Sequence, residues 1–139
     1  MTDLSLSGSC LCGSVQFTVS GRAAGFLHCH CGRCRKASGT GHASNILVKP
    51  GSVEWMAGEE LIGRFDAPDA ERFHTRFCRQ CGSPLPKLHE SLELVVLPAG
   101  SLDEDPPINP KARIFWGSRS AWSCGDGDLK QYDEYPTRG

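Results

Sequence analysis

Seven of the eight cysteines fall into three tight groups: Cys10-Leu11-Cys12, Cys29-His30-Cys31-Gly32-Arg33-Cys34 and Cys78-Arg79-Gln80-Cys81. Only Cys124 stands alone. Thiols at such spacings can turn toward one point and share a soft metal ion. The Cys78–Cys81 pair is followed by Gly82, which lets the backbone swing back and offer N–H groups to the sulfurs. Such a knuckle supplies half of a tetrahedral site and needs two more ligands. Cys10 and Cys12, followed by Gly13, offer them. Pairing the two groups gives a closed four-cysteine site that staples the N-terminal strand to the middle of the chain. Metal binding at a closed site of this kind is worth roughly 10–16 kcal/mol. That rivals the whole stability of a small domain.

The middle group differs. Cys29, Cys31 and Cys34 can converge on one metal and leave its fourth position open. Closed zinc sites are structural, whereas open ones admit water or substrate. A thiol substrate in that position would have its pKa lowered and be held as a thiolate, ready to attack a carbonyl or to leave from carbon. Arg33, Arg35 and Lys36 follow closely and are candidate anchors for the carboxylates of an anionic thiol.

Other readings compete. Disulfides are disfavoured in a reducing compartment. No βαβ pattern surrounds either Cys-x-x-Cys, which argues against a thioredoxin-type motif. Neither common ferredoxin spacing occurs. Two purely structural zinc sites remain open, with His28, His30, His42 or Cys124 closing the second. The bland reading of Cys124 is a buried small hydrophobe, and that of the histidines is packing or surface. His74 has no evident partner. Gly39-Thr40-Gly41 is a turn whose N–H groups could meet a ligand. Trp116 and Trp122 read as core or rim packing, or as a pocket wall.

The elements that must position these residues are mostly short strands. Val15, Phe17 and Val19 alternate with polar residues, as a half-buried strand does. Further candidates are Ala43–Val48, Val53–Met56, Leu61–Phe65, Arg72–Phe77, Leu92–Leu97 and Ala112–Trp116, punctuated by Pro50-Gly51, Gly58, Pro68, Gly82, Pro98 and Pro106-Pro107. The helix candidates are short: one from Cys31 toward Ser38, and a turn at Ser101–Asp105 with Ser101 as cap and Glu104 three residues on. The pattern predicts a mostly-β domain. A polar tail after Trp122 contains a turn at Asp126-Gly127-Asp128.

Composition bounds the function. The chain has 139 residues, 39% hydrophobic and 22% charged, with a net charge of −1. The length fits one domain, residues 1–139, with a core over about 8–122 and the tail at 123–139. No basic excess suggests nucleic acid. No apolar run approaches the roughly 18 residues that span a bilayer. The N-terminus lacks the pattern of a secretory signal. The expectation is a cytoplasmic protein with neither a membrane nor a nucleic-acid partner.

Three segments together resemble the glutathione-dependent formaldehyde-activating enzyme family, which includes the centromere-protein-V-like proteins. They are Gly8-Ser9-Cys10-Leu11-Cys12-Gly13-Ser14-Val15, His28 to Gly39 with its Cys-His-Cys-Gly-Arg-Cys-Arg-Lys run, and Phe77-Cys78-Arg79-Gln80-Cys81-Gly82-Ser83. Ala112 to Trp122 resembles the family's late strand and Ser…Trp segment. The resemblance implies a small zinc-pinned β domain of several sheets with short helical turns. It implies two zincs per chain: a structural one on Cys10, Cys12, Cys78 and Cys81, and a catalytic one on Cys29, Cys31 and Cys34. The implied reaction joins glutathione and formaldehyde into S-(hydroxymethyl)glutathione, classed as a carbon–sulfur lyase. The alternative is a zinc-stabilised binding module without catalysis.

Overall fold

The computed structural model describes residues 2–124 and 129–136. The expected turn at Asp126-Gly127-Asp128 lies outside them. The fold is mostly β, as the alternation predicts. Its main sheet has six strands: β1 (Asp3–Ser9), β2 (Gln16–Cys29), β3 (Ala43–Ala57), β6 (Lys87–His89), β7 (Leu94–Pro98) and β8 (Ala112–Ile114). The order is β1-β2-β3-β7-β6, with β8 parallel to the end of β2. A second, two-stranded sheet pairs β4 (Ile62–Asp66) with β5 (His74–Cys78). The one α-helix among the described residues, α1, spans Gly32–Ser38.

Period-two patterning explains the core. In β1, Leu4 and Leu6 point inward while Ser5 and Ser7 face solvent. Leu6 lies opposite Val19 and Gly8 opposite Phe17. Across the sheet Ile46 faces Leu97, and Val48 faces Val95. These side chains form one buried layer that Cys10, Cys78 and Leu85 join.

Some expected elements change. The N-terminal strand, for which the sequence reading set no bounds, is β1, where Leu4, Leu6 and Gly8 carry the alternation. The separate strands Ala43–Val48 and Val53–Met56 are one strand, β3. Lys49 and Pro50 have no partner in the β2 register and so form a bulge, where proline is tolerated. Gly51 N–H resumes bonding, donating to Glu93 O at 2.8 Å. β8 stops at Ile114, because Phe115 turns left-handed (φ 53°) into a short 3₁₀ turn at Trp116–Ser118. The turn expected at Ser101–Asp105 lies upstream, as a 3₁₀ turn at Ala99–Ser101. Ser101 ends that turn, and its hydroxyl donates back to Pro98 O at 2.7 Å instead of capping forward. No described helix is long and apolar enough to cross a membrane.

Candidate metal centres and the adjoining cavity

The two sheets meet at the first cysteine group. β1 ends at Ser9 and releases Cys10, while β5 ends at Cys78. Each begins a turn with the same wiring. Cys10 N–H donates to Val15 O and Cys78 N–H to Ser83 O, both at 3.0 Å. The returning glycines, Gly13 and Gly82, both have φ 79°. They donate to Cys10 O at 2.9 Å and Cys78 O at 2.7 Å. Leu11 N–H bonds Ser83 Oγ at 2.9 Å and locks the turns together.

The sulfurs of Cys10, Cys12, Cys78 and Cys81 all lie within 4.8 Å of one another. Cys10 to Cys12 is 3.5 Å and Cys12 to Cys78 is 3.9 Å. Thiolates at the corners of a tetrahedral zinc with Zn–S near 2.3 Å would sit about 3.8 Å apart. The donor set therefore fits. Val15 N–H reaches Cys10 Sγ at 3.3 Å and Gln80 N–H reaches Cys78 Sγ at 3.4 Å. The Ser83 hydroxyl, 3.2 Å from Cys81 Sγ, brings that thiol down to about 5. Ser14 lowers Cys12 in the same way, while burial raises Cys78.

The second group is built differently. β8 pins the end of β2, with Cys29 opposite Ile114, and His30 N–H donates to Ile114 O at 3.0 Å. The chain then breaks into α1. Cys31 is the N-cap, extended at φ −66° and ψ 157°, and its sulfur accepts Cys34 N–H at 3.3 Å. Gly39 closes the helix in the left-handed region, donating to Arg35 O at 2.8 Å. Hence the Gly39-Thr40-Gly41 turn begins as a helix cap.

The sulfurs of Cys29, Cys31 and Cys34 also lie within 4.8 Å of one another. Among the described residues no histidine nitrogen or fourth sulfur joins them. Cys124 is exposed and apart, and so neither closes the site nor packs inside. Burial pushes the Cys29 and Cys34 thiols up. Burial acts on Cys31 in the same sense, but N–H donation from Cys34 and neighbouring thiols leaves it lowered.

Cys34 lines a cavity of about 680 Å³, walled by Phe65, Phe73, Phe77 and Val96 with Lys36, His42 and Ser44 at its polar edge. Three histidines flank the cysteines as a stack. His28 and His42 rings are 4.1 Å apart, and His30 lies 5.0 Å from His42 and 5.1 Å from Trp116. Burial is the main cause holding both His28 and His30 below the usual imidazole value. Ser44 Oγ sits 3.0 Å from His28 Nδ1 and 3.3 Å from His42 Nδ1.

The expected carboxylate anchors are partly engaged elsewhere. Arg33 lines the cavity but donates to Asp69 O at 3.1 Å and lies 3.6 Å from its carboxylate. Arg35 is not in the lining and donates to Ser120 Oγ at 3.1 Å. Trp122 is 71% exposed, so it is not core packing. Trp116 packs on His30 and carries Arg119 at 4.2 Å over its ring. His74 gains partners: His89, with ring centroids 5.0 Å apart, and Lys87, whose Nζ donates to its carbonyl at 2.7 Å. Arg76 and Lys87, both lining the cavity, were not foreseen; nothing in their local pattern sets them apart from surface cations.

The family model for the glutathione-dependent formaldehyde-activating enzyme matches residues 5–118. The chain belongs to this family. A Halomonas elongata relative carrying the description "Putative glutathione-dependent formaldehyde-activating enzyme" is 35% identical over 115 residues, covering 76% of this chain and 71% of the relative. A crystal structure of a Rhodobacter sphaeroides protein shares the fold with a TM-score of 0.52 at 18% identity, covering 78% of this chain and 98% of that one. The family match contains both cysteine clusters, β8 and Trp116, and stops before Arg119, Ser120, Trp122 and Cys124.

Proposed function

We propose that the chain is a zinc-dependent carbon–sulfur lyase acting on a thiol adduct of formaldehyde, with glutathione as the thiol. The observation that carries this reading is the open set of three sulfurs, Cys29, Cys31 and Cys34, with Cys34 in the wall of the cavity. Membership of the family and the relative's description support glutathione and formaldehyde as the reactants. Cys10, Cys12, Cys78 and Cys81 would hold the structural zinc, and the one domain they pin would span the chain. A cytoplasmic setting, where thiols stay reduced, belongs to the same reading.

Bound to the three sulfurs, zinc supplies the positive charge that keeps a substrate thiol ionised near neutral pH. The substrate sulfur forms a bond to the formaldehyde carbon, and the carbonyl π pair moves to oxygen, which takes a proton to become the hydroxymethyl group. The reverse step breaks the same C–S bond. The chain would orient the thiol against a cavity wall that includes Phe65, Phe73 and Phe77. Ser44 Oγ, which lines the cavity and has two imidazole nitrogens within hydrogen-bond reach, would be the hydroxyl that hands over the proton. Addition of thiols to formaldehyde is facile, so holding both reactants together supplies much of the gain.

Zinc per chain, measured with and without glutathione and joined to X-ray absorption at the zinc edge, tests this. Two zincs are expected, with sulfur coordination rising at one on adding glutathione. A second site that fills with zinc yet ignores every thiol overturns the lyase reading and leaves a zinc-stabilised binding module.

A further inference from the structure

The cavity beside Cys34 has a one-sided charge. Arg33, Lys36, Arg76 and Lys87 line it, and among the described residues no aspartate or glutamate does. The chain as a whole carries 15 basic and 16 acidic residues, so composition alone does not produce this lining. Arg33 is engaged by Asp69. The other three, Lys36, Arg76 and Lys87, have no acid within ion-pair distance among the described residues, and Arg76 and Lys87 are the two that other elements bring to the cavity.

Lys87, on β6, is largely withdrawn from water. Its Nζ donates one bond to His74 O at 2.7 Å and sits 4.3 Å from the centre of the Phe73 ring. An ammonium has three N–H bonds, so two remain. Lysines ordinarily keep the charged head in solvent. No carboxylate comes within ion-pair distance of this one among the described residues. Arg76, on β5, presents a buried Nε with no hydrogen-bond partner. Asp66 and Glu90 act on it only from a distance. Asp66 is already held by Arg64 at 2.8 Å. Leu85 N–H donates to Arg76 O at 2.9 Å, which lays the segment before Lys87 along β5, and both side chains line the one cavity. The phenylalanine walls lower the local dielectric and strengthen any charge pairing made there.

We propose that Lys87 and Arg76 form a carboxylate-binding subsite in the cavity, which makes the site selective for small thiols bearing carboxylates over neutral thiols. The subsite deepens the lyase reading and rests on it for the thiol end of the cavity. It assigns the anion-recognition role to β5 and β6, not to the basic residues that follow the cysteine motif.

The test uses S-methylglutathione, which keeps both carboxylates but has no thiol to ionise. Its binding to the zinc-loaded full chain is measured by calorimetry beside its dimethyl ester, for wild type, Lys87→Gln, Lys87→Arg and Arg76→Gln. Wild type is expected to bind the acid at least about tenfold more tightly than the ester, with the difference shrinking as salt rises. Lys87→Gln and Arg76→Gln should each lower affinity for the acid about tenfold and leave the ester unchanged. Lys87→Arg should restore most of the loss. If the Gln variants, folded by near-ultraviolet circular dichroism, keep the wild-type preference, the subsite is wrong. Turnover of glutathione with formaldehyde separates the two claims. An active enzyme whose acid preference survives both substitutions loses only the subsite. A wild type that discriminates through Lys87 and Arg76 but turns over no thiol keeps the subsite and loses the lyase.

Discussion

The two cysteine clusters use the same atoms for opposite ends. The four-cysteine cluster is assembled from two turns of matching wiring, one from each sheet, and all four corners are protein sulfur. The three-cysteine cluster hangs on a strand end and a helix cap, and its remaining side looks into a cavity. Hydrogen bonds favour thiolate at Cys12 and Cys81 of the first while burial raises Cys78, and burial disfavours it at Cys29 and Cys34 of the second. The contrast sets a cluster that ties the two sheets together apart from one whose remaining side opens on a cavity. Single substitutions should therefore have unequal consequences.

The largest effect is expected at the closed cluster. Cys78→Ser removes a buried corner that joins the sheets, and structural zinc sites supply roughly 10–16 kcal/mol against a typical total of 5–15 kcal/mol. The variant should be unfolded at 25 °C by circular dichroism, or recovered only as aggregate. Cys31→Ser should remain folded, with a melting temperature within a few degrees of wild type, while turnover falls to the rate without enzyme. Equal destabilisation by the two substitutions would erase the distinction between the clusters.

Acid should sharpen the same contrast. Protons compete with metal for thiolates, so a site loses its ion as pH falls through the range where its sulfurs take up protons. Cys81 and Cys12 sit below the ordinary thiol value, with Cys81 near 5, so their protons return only in more acidic solution, although burial holds Cys78 above it. Cys29 and Cys34 sit above it, so competition starts at higher pH. Zinc release followed with a chromophoric chelator should come in two steps on acidification, the first from the three-cysteine cluster and the second accompanied by unfolding. Release of both ions in one step, or unfolding with the first, would contradict the assignment.

How much of this was legible in the sequence follows from distance along the chain. The clusters were readable because their cysteine motifs are local: Cys29, Cys31 and Cys34 share one strand end and one helix turn. The pairing of Cys10–Cys12 with Cys78–Cys81 needed only that two half-sites find each other. The cavity was not readable. Cys34 shares a cavity with Lys87 and Arg76 through the folding-over of β5 and β6, and a lysine in Lys87-Leu88-His89 looks like any surface lysine until Phe73 and His74 are placed against it. The same limit hid the engagement of Arg35 by Ser120. β3 was misread for a different reason: Pro50-Gly51 is turn punctuation in most strands, and here a bulge absorbs it.

The smallest effect concerns the knuckles themselves. Gly13 and Gly82 both have φ 79°, a region that side chains with a Cβ enter at a cost of about 1 kcal/mol or somewhat more. Nothing lies within 4 Å of a Cβ built on either glycine, so alanine there would strain the backbone without clashing. Gly82→Ala should thus lower the melting temperature by roughly 3–5 °C and leave the thiol response of the other cluster intact. Gly117→Ala is the matched control: a Cβ there also meets nothing within 4 Å, and its backbone is not left-handed. That substitution should be neutral or slightly stabilising, since it only restricts the unfolded chain. Equal shifts from the two would show that zinc binding does not depend on the left-handed turn, and the matched wiring of the knuckles would lose its role in holding the four sulfurs.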